Sequence, residues 1–66
     1  MNGKPYHYEI PGEAASRDFE TIEECVAACK AECEELGVDY DDREVKLFMT
    51  DADGVWDVTE EGELAG

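Results

Sequence analysis

The sequence predicts a small α+β domain, with one helix packed on a three-stranded antiparallel sheet in the order β-α-β-β. Three observations carry this. Thr21–Gly37 holds a helix start signal, a stop signal and a single apolar stripe. Two short alternating runs follow it, joined by Asp53-Gly54, the signature of a hairpin. Another alternating run, Tyr6–Ile10, precedes it.

The first strand is read over Lys4–Ile10. Tyr6, Tyr8 and Ile10 share one face there, and His7 and Glu9 the other. Pro5 and Pro11 bracket the run, and neither fits a central strand, so this is an edge or terminal one. Residues 12–18 form a connection, with Phe19 as a hydrophobic anchor. A short extended piece at Arg17–Glu20 continues or pairs with the first strand.

In the helix, Thr21 and Glu24 stand where a capping box needs them. Ile22, Cys25, Val26, Cys29, Cys33 and Leu36 line one face at helical period. Gly37 follows as the residue for a left-handed cap. Glu34 and Glu35 oppose the helix dipole, so the last turn is expected to be weak.

Residues 38–43 are a charged loop in which Tyr40 is the packing residue. Glu44–Thr50 and Val55–Thr59 form the hairpin. A two- or four-residue loop sets Trp56 and Val58 on the face of Leu47 and Met49, whereas a three-residue loop does not. The expected core is the helix stripe against Tyr6, Tyr8, Leu47, Met49, Trp56 and Val58. Phe48 and Val55 would then form an apolar spot on the opposite, solvated face. Residues 60–66 are expected to be a frayed acidic tail on a single domain spanning 1–66.

Sixty-six residues allow one domain, which buries only about 60% of the surface its unfolded chain exposes. The formal net charge is −14, from 19 acidic and 5 basic residues. Residues 1–33 carry −4 and residues 34–66 carry −10. Direct binding to nucleic acid lacks the cations it requires, and so does binding to an anionic membrane. The fraction of hydrophobic residues, 42%, and their periodicity argue for a folded chain over a disordered one. Met1–Ile10 has no apolar segment of signal-peptide length, and an odd number of cysteines, three, suits a reducing cytoplasm.

Cys25, Cys29 and Cys33 invite a metal reading, with His7 as a fourth ligand. On a helix they rise at roughly 6 Å intervals, too far apart for all three to reach one ion about 2.3 Å away. Helical spacing also defeats disulfides between them. They read as small buried hydrophobes, and no metal or other cofactor is expected. Asp51, Asp53, Asp57 and Glu60 match part of a calcium loop, but its first position falls on Met49, so a hairpin turn is the better account. His7 and Ser16 are the sole histidine and serine, which leaves no support for a hydrolytic triad and no expected catalytic residue.

The acidic second half remains. Asp39, Asp41, Asp42, Glu44, Asp51, Asp53, Asp57, Glu60 and Glu61 are the expected partner-binding residues, on a rim extending towards Glu63. Alternate residues of a strand stand roughly 6.6 Å apart, of the same order as phosphate spacing along a nucleic-acid strand, whose axial rise is about 3.4 Å. Such a rim suits a groove lined with Lys and Arg.

In size, charge and element order the chain resembles the small phage-encoded inhibitors that imitate nucleic acid, including anti-CRISPR proteins. The carriers are the Tyr6–Ile10 strand, the Thr21–Leu36 helix, the Glu44–Thr59 hairpin and the acid-rich segment 39–63. The resemblance implies a cytoplasmic, non-enzymatic inhibitor, monomeric or homodimeric, that occupies the basic surface of a nucleic-acid-binding complex. Exposed Tyr6, Tyr8, Phe48 or Trp56 would supply the strongest contacts. The alternatives are an accessory domain of a salt-adapted cell and a thiol or metal module.

Overall fold

In the computed structural model, which describes residues 4–65 with side chains through Gly62, the chain runs β1 (Tyr6–Glu9), α1 (Ile22–Leu36), β2 (Lys46–Asp51), β3 (Gly54–Asp57) and α2 (Thr59–Ala65). The sheet order is β1-β2-β3 with both pairings antiparallel. One long helix on a three-stranded antiparallel sheet is the α+β architecture that the sequence predicts.

Helix α1 starts and stops on the expected residues. The Thr21 hydroxyl accepts from the Glu24 N–H at 3.1 Å, and the Glu24 carboxylate meets that hydroxyl at 3.3 Å. At the other end Gly37 takes φ 74°, which a residue with a Cβ adopts only under strain. The Gly37 N–H donates to the Glu34 carbonyl and the Val38 N–H to the Cys33 carbonyl at 2.9 Å. These bonds close the last turn that acidic residues alone would leave weak. Leu36, expected on the buried stripe, is 44% exposed and lines a surface cleft with Tyr8, Ala28 and Glu32 instead of entering the core.

The hairpin has the even loop that the apolar pattern requires. Asp51 pairs with Gly54 across the two residues Ala52 and Asp53, and Met49 then faces Trp56. On the other side Tyr8 faces Leu47 and Tyr6 faces Met49. The Arg17–Glu20 piece does return along β1: Phe19 and Tyr6 exchange backbone hydrogen bonds, and the Ser16 hydroxyl accepts from the Tyr8 N–H at 2.9 Å.

The core gathers Tyr8, Ile10, Phe19, Val45, Leu47 and Val58 with Cys25, Val26, Cys29 and Cys33 of α1. Cys25 and Cys29 are fully buried and Cys33 is 1% exposed. Their small side chains let α1 lie close on β1. The Tyr8 hydroxyl crosses the core edge to donate to Glu32 Oε1 at 2.5 Å, tying β1 to α1. Burial and the neighbouring Glu32 carboxylate hold that phenol well above its ordinary range.

The stretch expected as a tail contains α2 over Thr59–Ala65, and Gly66 lies outside the described residues. The Asp57 carboxylate accepts from the Thr59 N–H at 2.9 Å and from its hydroxyl at 2.6 Å, which turns the chain out of β3. Thr59 Oγ1 in turn accepts from the Leu47 N–H at 3.1 Å, satisfying a donor that β3 no longer reaches. Gly62 is buried against Leu47, so α2 approaches β2 at a distance that excludes any side chain there.

Trp56 is 49% exposed and not part of the core. The helices pack over the Tyr8, Leu47 and Val58 end of the sheet, while the Tyr6, Met49 and Trp56 row lies nearer the hairpin turn. Tyr6 and Met49 are accordingly half-buried. Phe48 is not freely exposed either. The His7 ring stacks on it with centroids 5.2 Å apart, so the expected Phe48–Val55 spot reduces to Val55, at 58% exposure.

Candidate partner-binding surface

All nine acidic residues of the expected rim are exposed, but the fold separates them into two groups. Asp39, Asp41, Asp42 and Glu44 occupy the loop before β2, and Asp57, Glu60 and Glu61 lie at the junction of β3 with α2. These two sets adjoin. Asp41, Asp42 and Thr59 line one cleft of about 280 Å³, and Asp57, Glu60 and Glu61 line a second with Lys46. Asp51 and Asp53 sit at the hairpin turn, about 16 Å away along β2 at the usual rise per residue. Glu63 lies outside the described side chains.

The loop is not extended, which corrects the phosphate-like spacing expected of residues 39–44. The Asp39 carboxylate accepts from the Asp41 N–H at 2.9 Å and the Asp42 carboxylate from the Glu44 N–H at 2.9 Å. Backbone bonds from Asp42 to Asp39 and from Val45 to Asp42, each 3.0 Å, fold the segment into successive turns. The same i to i+2 bond recurs at Asp51, which accepts from the Asp53 N–H at 2.7 Å, and at Asp57. Four of the nine acids thus shape turns with one oxygen. Asp41, Glu44, Asp53, Glu60 and Glu61 fold no turn in this way and present their charge to solvent.

That charge is not cancelled from within. Among the described residues, no Lys or Arg forms an ion pair with a carboxylate within 4.0 Å; the nearest approach of this kind is His7 Nε2 to the Glu9 carboxylate at 3.8 Å. Arg17 instead lies 4.5 Å from the Phe19 ring centroid and Lys30 5.2 Å from that of Tyr40. Arg43 lines the cleft of Asp41 and Asp42, and Lys46 lies near Asp57 without pairing with it, so the field is reduced there but stays acidic.

At the hairpin, charge and apolar surface meet. Asp51 Oδ2 accepts from the Trp56 indole N–H at 3.0 Å while its other oxygen holds the turn. The exposed indole is thereby oriented, with Met49 and Tyr6 beside it on the same face of the sheet. Val55 is exposed on the opposite face. Sequence reasoning placed Trp56 in the core by face parity alone. Its position two residues from the turn glycine is the signal that it stands near the sheet's uncovered end.

These same bonds make Trp56 a reporter. Hydrogen bonds from the indole and from the Asp53 N–H lower the Asp51 pKa below the ordinary aspartate value. A depressed carboxylate contributes stability that is present above the unfolded value and lost as pH falls through the folded one. The fluorescence of Trp56, the sole tryptophan, is expected to hold steady from neutral pH and to change below about pH 4. Asp51→Asn should remove that transition; its persistence in the variant would show that Asp51 is not its source.

The three thiols are buried side chains of α1. Burial pushes Cys25 up to about 11 and Cys29 up to about 12, and raises Cys33 as well. All three are protonated at neutral pH and shielded from solvent. Among the described residues, no three His, Cys, Asp or Glu side chains converge as a metal site. No helix among them is long and apolar enough to cross a membrane.

No family model, no curated protein and no solved structure matches the chain.

Proposed function

We propose that this chain is a non-enzymatic acidic binding protein. In this reading it acts in the cytoplasm and occupies the Lys- and Arg-lined surface of a nucleic-acid-binding partner, such as a CRISPR or other defence complex, so that nucleic acid is kept out. The observation that carries the reading is a dense set of exposed carboxylates without Lys or Arg partners among the described residues, next to the exposed, oriented Trp56. Charge steers such an encounter, and the aromatic anchor limits its dissociation.

Charge reversal should spare the turn-forming acids. Asp41→Lys with Glu60→Lys and Glu61→Lys changes the field where loop and α2 adjoin and leaves the Asp39, Asp42 and Asp57 turns intact. The triple variant is expected to bind a basic nucleic-acid-binding complex at least about tenfold more weakly at low salt. Unchanged displacement of nucleic acid from that complex would sink the reading. The domain should also keep its circular dichroism at low ionic strength. A fold that required molar salt would favour an accessory domain of a salt-adapted cell.

A further inference from the structure

The two outer edges of the sheet are treated differently. On β1 the outward N–H groups of Tyr6 and Tyr8 are taken by the Phe19 carbonyl and the Ser16 hydroxyl. On β3 the ladder alternates so that Gly54 and Trp56 face β2, a pattern continued by the 2.9 Å bond from the Val58 N–H to the Leu47 carbonyl. The N–H and C=O groups of Val55 and Asp57 therefore point away from the sheet, and no described strand lies beyond them.

We propose that the outer edge of β3 takes up an extended basic segment of the partner as a fourth strand. Backbone bonds to Val55 and Asp57 would set its register, with Val55 flanking it on one face of the sheet and Trp56 on the other. Acidic residues bracket this edge at both ends, Asp51 and Asp53 at the turn and Glu60 and Glu61 beyond Asp57. The segment that fits carries Lys or Arg at each end of a short β-branched centre. A second copy of the chain is the poorer occupant, because each copy brings a net charge of −14 to the contact. This inference rests on the reading that the partner is basic and adds how it is held.

The test uses the intact protein and a short peptide with a Val- and Ile-rich centre flanked by Lys and Arg, beside the same peptide N-methylated at alternate backbone positions. The parent peptide is expected to protect the Val55 and Asp57 amides from hydrogen exchange. The N-methylated peptide should bind about tenfold more weakly through the lost hydrogen bonds. Val55→Pro removes an outward N–H that the hairpin does not use, and should weaken the parent peptide similarly with Trp56 fluorescence unchanged. Equal, salt-sensitive binding of both peptides would overturn edge pairing and leave the charge reading standing. Binding of neither at low ionic strength would overturn both. Amide protection that grows with protein concentration in the absence of peptide would place a second copy on the edge and overturn the proposal.

Discussion

Leu47→Ala is expected to cost about 2–5 kcal/mol, the usual range for removing a fully buried leucine side chain. Leu47 is 1% exposed and is the largest side chain among the fully buried ones. It packs beneath Gly62 of α2, faces Tyr8 across β1, and its backbone is bonded to Val58 and Thr59. A domain of this length carries about 3–10 kcal/mol in total, at roughly 0.05–0.15 kcal/mol per residue. The substitution thus removes a large share of the whole. Urea unfolding followed by circular dichroism should show it, and a loss below about 1 kcal/mol would mean that the α2–β2 contact is not part of the cooperative core.

Gly62→Ala carries the second large effect, with a sign opposite to the usual one. In an exposed helix interior this change gains up to about 1 kcal/mol from propensity. Here the added Cβ would overlap Leu47 Cδ1, and it would also stand 3.4 Å from Leu47 Cγ and 3.2 Å from the Tyr40 hydroxyl. Either Leu47, which is packed in the core, must give up its rotamer or α2 must lift. A net destabilisation of about 1–3 kcal/mol is expected, typical of overpacking. The double variant with Leu47→Ala separates this steric cause from others. It should lose less than the two single losses combined, because the alanine at 47 vacates the space that the new methyl needs. Strict additivity would contradict the proposed contact.

Much of the fold was legible because several signals agreed locally. Thr21, Glu24 and Gly37 each have one physical role at a helix end, and each plays it. Hairpin parity alone predicted that Trp56 would share the sheet face of Met49, and the two are paired across the strands. Phe19 could be assigned as an anchor because it is the one large apolar residue in a polar connection.

What escaped depended on tertiary distance. Thr59–Ala65 reads as an acidic stretch broken by a glycine; only the closeness of Leu47 turns Gly62 into a contact residue. Face parity told on which side Trp56 lies but not how far the helices extend over that side. The acids looked alike in sequence. Their division between turn-forming Asp39, Asp42, Asp51 and Asp57 and outward-facing Asp41, Glu44, Asp53, Glu60 and Glu61 follows from where the chain bends.

The return of Ser16–Phe19 along β1 has a consequence for stoichiometry. A sheet open on both sides can add strands without limit, and that is the route to fibres. Here one side is already closed by the chain's own connection, which leaves β3 as the open edge among the described residues. Two copies meeting through this sheet would have to join edge to edge at β3, which closes the pair and leaves neither a second open edge for a fibre.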